Sequence, residues 1–319
     1  MGHVPRIGWM SVRINKLVAV GVAAAALTAA LAGCSQSSNG STGGDGKIVV
    51  VGAENEYSDV AAQIGGKYVA ATAIMSDPNT DPHTFEASAS VASALSTAQL
   101  VVQNGVGYDD FMAKLEKASP DRTRTVIVAQ DVLGLPDSTE NPHLWYDPKT
   151  MPAVAKVIAA DLGKIEPSHT SYFQAQLTAF DNSLKTWTDQ LAAFKQNHAG
   201  APVAVIEPVV DYMLQAAGVD IKTPWSLQAA IMNGTDPSPQ DSAAQDALFT
   251  GKAVKVFLYN QQVTDSVTSH FLSLARSNNV PVVGVYETMP TGYHYQKWME
   301  AEVTALTNAI TNGQSTEKL

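Results

Sequence analysis

The sequence predicts an α/β protein of two similar lobes, each a mostly parallel four-stranded sheet flanked by helices, joined by one long connecting helix. Eight short apolar segments fall into two groups of four, and segments of helix length separate most of them, as in buried parallel sheets. A sustained helical stripe lies between the two groups. The predicted strands are 47–51, 68–73, 99–103 and 125–128 in the first half, and 202–206, 219–222, 254–259 and 281–286 in the second.

The segment between the two groups has the most regular helical pattern in the chain. Pro167 ends the preceding helix, and Ser168 is the candidate N-cap of a helix that runs to about residue 196. Such a helix is about 40 Å long and can pack on both lobes, although a dimerising coiled coil is the alternative. A rigid connection favours small rocking of the lobes and a ligand in the seam between them. The apolar stripe consists of Leu177, Phe180, Leu184, Trp187, Leu191 and Phe194.

The first 33 residues have the features of a secretion signal. They carry three cations and no acid, followed by an apolar run over 17–31. This run is shorter than the ~20 residues that a helix needs to span a bilayer. The Leu-Ala-Gly-Cys step at 31–34 resembles a bacterial lipoprotein box, which implies cleavage before Cys34 and acylation of its sulfur. A signal followed by an unmodified cysteine is the alternative, and Met10 offers a second start.

Residues 34–46 are rich in Ser, Gly and Asn and predict a flexible tether. We therefore divide the chain into a signal peptide (1–33), the tether (34–46), an N-terminal lobe (47–167), the connecting helix (168–198) and a C-terminal lobe (199–319).

Composition limits the partners and the ligand types. Removing the three cations of the signal from the 20 Lys and Arg leaves 17 against 30 acidic residues, a net charge of −13. This acidic balance argues against nucleic acid as a partner. Cys34 is the only cysteine. The fold therefore contains no disulfide, and any metal ligand supplied by either lobe is nitrogen or oxygen.

Two histidines follow prolines at the ends of strand-like segments. His83 lies in Asp-Pro-His-Thr-Phe-Glu (81–86), and His143 in Asn-Pro-His-Leu-Trp-Tyr-Asp-Pro (141–148). Proline restricts its own φ and the conformation of its predecessor, so each imidazole is held in a stiff loop. A lone loop histidine is more often a hydrogen-bonded or surface residue, but neutral imidazole is also the commonest metal ligand.

Two carboxylates occupy the corresponding places in the second half. Glu207 follows the predicted strand at 202–206, and Glu287 follows the strand at 281–286. Open α/β sheets bind ligands at the carboxyl ends of their strands, so two imidazoles and two carboxylates can meet in the seam. Alone, each glutamate is equally consistent with helix capping. Asp211 is a reserve carboxylate, and His294 is a further candidate for lining the cleft.

Over nearly its whole mature length the chain resembles the cluster A-I metal-binding receptors of zinc- and manganese-importing ABC transporters. The resemblance rests on both Pro-His motifs, the two strand-then-glutamate steps, the lipoprotein box, the connecting helix, and Thr-Asp-Pro-Ser at 235–238. It implies a lipid-anchored, extracytoplasmic, non-enzymatic protein that captures a divalent metal ion and delivers it to an ABC permease with a cytoplasmic ATPase. The implied ligands are His83, His143, Glu207 and Glu287. We expect a monomer without an organic cofactor.

Two positions depart from the family pattern. The last ligand is commonly aspartate, and Glu287 is one methylene longer, which leaves the coordination number and carboxylate mode open. The third ligand is often histidine in zinc importers, whereas this chain has Glu207. Two nitrogens and two carboxylates form a harder site, which shifts preference toward Mn²⁺ or Fe²⁺, although Zn²⁺ still binds more tightly than Mn²⁺ in absolute terms. We expect Mn²⁺ as cargo, ahead of Zn²⁺, with Fe²⁺ as a third candidate.

Two other classes of protein remain open from the residues. A secreted metallohydrolase keeps an open metal position for water, but the sequence has neither a His-Glu-x-x-His helix nor a Gly-x-Ser-x-Gly elbow. A siderophore or cobalamin receptor shares the two-lobed design, but it holds a bulky ligand mainly through aromatic and basic groups. The candidate loops here supply histidines and carboxylates instead.

Overall fold

The computed structural model describes residues 46–79, 85 and 89–319. Over these residues the chain forms two four-stranded parallel sheets flanked by helices, so the predicted fold class is confirmed. No helix within these ranges is long and apolar enough to cross a membrane. The predicted signal peptide, most of the predicted tether with Cys34, and His83 lie outside the described residues.

The first sheet has the strand order 2-1-3-4 along the chain, and every pair in it is parallel. Its first strand is central and buried on both faces, as expected for a run as apolar as Ile-Val-Val-Val-Gly-Ala. It extends three residues beyond the predicted end and reaches Glu54. The strands are β1 (Ile48–Glu54), β2 (Val69–Met75), β3 (Leu100–Gln103) and β4 (Thr125–Val128).

The second sheet repeats this arrangement with the order β6-β5-β7-β8, again all parallel. Three of its strands are almost completely buried, whereas β6 is an edge strand of only two residues, shorter than predicted. The strands are β5 (Pro202–Val205), β6 (Asp220–Ile221), β7 (Phe257–Asn260) and β8 (Val282–Val285).

Twelve α-helices accompany the sheets in the described part of the chain. Five belong to the N-terminal lobe: α1 (Asn55–Gly65), α2 (Ala89–Ser96), α3 (Phe111–Ala118), α4 (Ala129–Leu133) and α5 (Thr150–Ile165). Two form the connection: α6 (Thr170–Ser183) and α7 (Lys185–His198). Five belong to the C-terminal lobe: α8 (Asp211–Ala217), α9 (Trp225–Met232), α10 (Pro239–Thr250), α11 (Ser266–Ser277) and α12 (Tyr295–Asn312).

The connection packs on both lobes within one chain. Helix α6 contacts α1 and α5 of the N-terminal lobe, and α7 contacts α8 and α12 of the C-terminal lobe. Five of the six stripe residues are buried there, from Phe180 to Phe194, and Leu177 is partly buried. The predicted apolar stripe therefore packs against the two lobes of the same chain. This agrees with the prediction of a connecting helix and not with the alternative of a dimerising coiled coil.

The connecting helix differs from the predicted uninterrupted helix at its start and at one internal residue. A 3-10 turn covers Pro167–His169, and α6 begins only at Thr170. The prediction of Ser168 as N-cap is therefore wrong; its hydroxyl donates to Glu166 Oε1 at 2.7 Å instead.

Leu184 has φ −76° and ψ −13° and separates α6 from α7. The Ser183 hydroxyl donates to the Phe180 carbonyl oxygen at 2.7 Å, and such a bond competes with the backbone ladder and bends helices. The bonds from Leu184 N to Phe180 O and from Thr188 N to Leu184 O persist, so the two segments form one rod with a local distortion.

Candidate metal centre

The order of the second sheet brings the two predicted carboxylate ligands to opposite sides of one strand. β7 lies between β5 and β8. Glu207 follows β5 by two residues and Glu287 follows β8 by two residues, and both are at most 1% exposed. Because parallel strands end at the same edge of a sheet, the two side chains flank the carboxyl end of β7.

The last residue of β7 connects these carboxylates. The side-chain Nδ2 of Asn260 donates to Glu207 Oε1, and also to Glu287 Oε1 at 2.7 Å. Its Oδ1 accepts from the Gln262 backbone N–H at 2.9 Å, which fixes the orientation of the amide. Asn260 is fully buried, and hydrogen bonds to charged groups are stronger in the low-dielectric interior than in water.

The loop that carries Glu287 is held by further hydrogen bonds. Gln262 Oε1 accepts from the backbone N–H groups of Glu287 and Thr288, at 2.6 and 2.9 Å. From the other lobe, the Tyr108 hydroxyl donates to Glu287 Oε2 at 3.0 Å. Burial, and next the charge of Glu287, raise the pKa of Tyr108 well above its usual value, so the phenol stays a donor. These contacts fix both the backbone and the carboxylate of Glu287.

His143 reaches the same place from the N-terminal lobe. Asn141 Oδ1 accepts from the His143 backbone N–H at 3.0 Å and lies 2.8 Å from its Nδ1. The Asn141 Nδ2 donates to Pro208 O, so its oxygen is the atom that faces the ring. An acceptor at Nδ1 keeps the proton on that nitrogen, which leaves Nε2 as the ring nitrogen with the lone pair. Nε2 lies 3.3 Å from Glu287 Oε2.

Three of the four predicted ligands are thus brought together at the seam. His143 is fully buried and contacts Glu287, and Asn260 links Glu287 to Glu207. No three His, Cys, Asp or Glu side chains within the described ranges have the spacing of a finished metal site. The fourth predicted ligand, His83, lies outside those ranges, so its place in the set stays a prediction.

A second group of buried acids lies at the end of β1. The carboxylate oxygens of Glu54 and Glu56 are buried without a hydrogen-bond partner, and burial raises the pKa of both well above its usual value. Asp109 accepts from the backbone N–H groups of Asn104 and Gly105 at 2.6 and 2.9 Å. Burial nevertheless raises the pKa of Asp109 to about 6. Burial without a hydrogen-bond partner disfavours the charged form, so it favours protonation of Glu54 and Glu56.

The two further candidates from the sequence, Asp211 and His294, make none of the contacts described above for Glu207, Glu287 and His143. Asp211 begins α8, its Oδ1 is buried without a partner, and burial raises its pKa to about 7. His294 is mostly exposed, with Nδ1 2.6 Å from Asp59 Oδ1 at the surface. The other described histidines contact structural partners: His169 stacks on Tyr68, His198 packs near Phe194, and His270 bonds Asp246.

The sequence patterns pointed to the candidate ligands but not to the residues that hydrogen-bond them. Asn260 and Gln262 follow an apolar strand without any motif, and Tyr108 lies in a loop of the opposite lobe. Asn141 was part of the second histidine motif, and its position two residues before the ligand was the available signal. A polar residue that ends a central buried strand is the corresponding signal for Asn260.

Two α/β lobes joined by a helical connection gather buried nitrogen and oxygen donors at the sheet ends in the seam. The family model for "ZnuA: Zinc-uptake complex component A periplasmic" matches residues 50–309. The chain belongs to this family, which confirms the predicted resemblance.

Two relatives are about one-quarter identical to the chain within the aligned segments. A manganese-binding lipoprotein of Bacillus subtilis, MntA, is 27% identical over 164 residues, which cover 50% of this chain and 53% of the relative. The match therefore spans about half the length of that relative. The manganese ABC transporter substrate-binding lipoprotein PsaA of Streptococcus pneumoniae is 25% identical over 233 residues, covering 68% of this chain and 74% of the relative.

Solved structures share the fold. The periplasmic zinc-binding protein TroA from Treponema pallidum superposes with a TM-score of 0.70 at 18% identity, covering 85% of this chain and 100% of that one. The substrate-binding protein FpvC from Pseudomonas aeruginosa, in complex with Mn²⁺, gives a TM-score of 0.68 at 21% identity, covering 84% of this chain and 99% of that one. Both likenesses concern the two-lobed architecture.

Proposed function

We propose that this protein is an extracytoplasmic receptor that captures a divalent transition-metal ion between its lobes and delivers it to an ABC importer. His143, Glu207 and Glu287 are the proposed ligands, with His83 as the fourth. The observation that supports this most is the Asn260 amide, which holds Glu207 and Glu287 together beside the Nε2 side of His143. Family membership supports a cation that is cargo, with no turnover.

Charge supports a divalent ligand. Glu207 and Glu287 are buried, and two carboxylates in a dry seam are costly unless a positive charge balances them. A divalent cation cancels two carboxylates, and the neutral His143 imidazole adds a nitrogen without adding charge. The described ligands mix one nitrogen with two carboxylates, which suits Mn²⁺ better than a nitrogen-rich site does. We propose Mn²⁺ as the cargo, with Zn²⁺ as the nearest competitor.

We further propose that the chain acts as a monomer tethered by an acylated Cys34 to the outer face of the cytoplasmic membrane. The lipoprotein-like box in the sequence supports the anchor, and the relatives named above as lipoproteins support it too. The partners are then a permease and its ATPase. Labelled fatty acid incorporated into the wild type but not into Cys34→Ala tests the anchor.

The metal proposal is tested with the purified mature protein. Metal analysis after equilibrium dialysis against Mn²⁺ or Zn²⁺ should give one ion per chain, and competition should rank the two metals. The double variant Glu207→Gln/Glu287→Gln should retain none. Glu300→Gln, whose carboxylate pairs with Lys297 on α12, is the matched control and should bind like the wild type. Absence of stoichiometric binding by the wild type would overturn the proposal.

A further inference from the structure

One face of α1 carries a series of hydrogen bonds from the N-terminal lobe to the segment 287–296 of the C-terminal lobe. Asn55, Asp59 and Gln63 are spaced four residues apart and therefore share one face of the helix. Each of them bonds this segment, which runs from the proposed ligand Glu287 to the start of α12. The series joins the lobes at the point where the ligand-bearing loop lies.

The bonds of Asn55 are the ones nearest to Glu287. Its Nδ2 donates to the Met289 carbonyl oxygen at 2.8 Å, and its Oδ1 accepts from the Met289 N–H at 2.9 Å. One side-chain amide thus satisfies both polar backbone groups of a buried residue, as a neighbouring strand would. Removing the amide leaves a buried donor and a buried acceptor without partners.

The peptide that carries Glu287 is consequently shared between the lobes. Gln262 of the C-terminal lobe holds the N–H groups of Glu287 and Thr288, and Asn55 of the N-terminal lobe holds Met289. Separation of the lobes breaks the Asn55 bonds and keeps those of Gln262. The loop is then fixed on one side only, and the position of Glu287 is less determined.

The remaining bonds of the series lie farther from the ligand. Asp59 Oδ2 accepts from Tyr295 N at 2.9 Å, and its Oδ1 pairs with the exposed His294 ring. Gln63 and Gln296 exchange side-chain bonds at 3.1 and 2.9 Å. These bonds hold the start of α12, whereas Asn55 holds the backbone that follows Glu287. The N-terminal lobe also reaches this loop through the Tyr146 hydroxyl, which donates to Tyr286 O at 2.9 Å, and through Tyr108.

We propose that Asn55 is a positioning residue that couples the separation of the lobes to the placement of Glu287 and so slows release of the cation. The inference rests on the proposed function, because it takes Glu287 as a ligand. Asn55 contacts no ligand directly in this scheme and acts through the Met289 backbone. Loss of its two bonds should therefore speed dissociation of the cation and leave association nearly unchanged.

The test compares Asn55→Ala with Asn197→Ala, a matched substitution in α7 whose amide bonds only the Ala193 carbonyl of its own helix. In metal-free protein, amide hydrogen exchange at Thr288 and Met289 should rise about tenfold in Asn55→Ala only. Stopped-flow release of Mn²⁺ into excess chelator should be about tenfold faster, with association within about twofold of wild type. Gln63→Ala, which loses its bonds to the Gln296 side chain and none to Met289, should leave both the exchange at Met289 and the release rate unchanged.

Asn55→Asp provides a second variant if the alanine variant folds poorly. It keeps the acceptor for the Met289 N–H and loses the donor, so its exchange and release rates should lie between those of wild type and Asn55→Ala. Wild-type exchange and release rates in both Asn55 variants would overturn the inference. A wild type that binds no Mn²⁺ would overturn the proposed function, and the exchange measurement would still decide whether Asn55 holds the loop.

Discussion

The two lobes each bury a pair of glutamates at the carboxyl end of a sheet, but they treat them differently. Glu207 and Glu287 in the C-terminal lobe both receive a hydrogen bond from Asn260. Glu54 and Glu56 in the N-terminal lobe have no side-chain partner, and burial raises the pKa of both. Burial alone therefore does not make a cation site. A hydrogen-bond donor that orients the carboxylate oxygens is what distinguishes the proposed ligand pair from the pair in the N-terminal lobe.

The largest effect expected from this difference is on metal affinity. Glu287→Gln should weaken Mn²⁺ binding roughly a thousandfold, about 4 kcal/mol, because it removes a buried balancing charge and places an amide against Asn260. Glu56→Gln should change the affinity by less than about threefold, since the protonated acid and the amide are both neutral. Competition against a chelating indicator measures both. An equal loss of Mn²⁺ affinity in Glu287→Gln and Glu56→Gln would contradict the distinction between the two glutamate pairs.

The next effect is on the pH dependence of the free energy of unfolding. It concerns Glu302, a buried acid with hydrogen-bond donors to only one of its oxygens. Glu302 Oε1 accepts from Tyr146 and Trp298, its Oε2 has no partner, and burial raises its pKa to about 8. The folded state keeps a proton that the unfolded state loses above pH ~4.5, so this group's stabilising contribution declines from there up to about pH 8.

Glu302→Gln lacks that proton equilibrium. Relative to wild type, its free energy of unfolding should rise by about 1.4 kcal/mol per pH unit over that window. Urea unfolding at pH 5 and pH 8 checks this, with Glu300→Gln in the same helix as the control. A pH-independent difference between Glu302→Gln and wild type would show that the Glu302 carboxyl is ionised in the fold.

A smaller effect is expected when the donor rather than an acid is removed. Asn260→Ala should lower Mn²⁺ affinity about 10- to 100-fold, the range typical of residues that orient metal ligands. Both carboxylates remain, so stoichiometric binding should persist, in contrast to Glu287→Gln. Titration calorimetry distinguishes these outcomes. An unchanged affinity would mean that Glu207 and Glu287 do not need the hydrogen bonds from Asn260 in order to bind the ion.

The smallest effect is expected in the loop that presents Tyr108 to Glu287. Val106 has φ +56°, between Gly105 and Gly107, which are also left-handed. A β-branched residue is strained there, so Val106→Gly should raise the free energy of unfolding by about 0.5 kcal/mol after its entropic cost. Val126→Gly, at an exposed position of β4, should lower it by about 1 kcal/mol. Denaturant midpoints compare the two, and destabilisation by Val106→Gly would argue against strain.

The two-lobed fold was predicted from the sequence, and the candidate ligands were named from it, because both follow from local patterns. Short apolar runs marked the strands, and a polar residue directly after a run marked Glu207 and Glu287. Asn260 also follows an apolar run, but its bonds to both glutamates, like those of Asn55 to Met289, join residues 27 to 234 positions apart and depend on the strand order and lobe docking. The distortion at Leu184 also escaped prediction, because the apolar stripe continues through it without a change in spacing.

The position of β7 between β5 and β8 also fixes the distance between the two strands that precede Glu207 and Glu287. The strands that lead to Glu207 and Glu287 are two strand spacings apart, roughly 9.6 Å. Backbone bonding fixes that interval, so only side-chain length determines how far the two carboxylates extend toward each other. Shortening Glu287 to aspartate withdraws its carboxylate by about 1.5 Å. The sheet therefore fixes the backbone separation, and the choice of glutamate or aspartate at position 287 changes the distance between the two carboxylates.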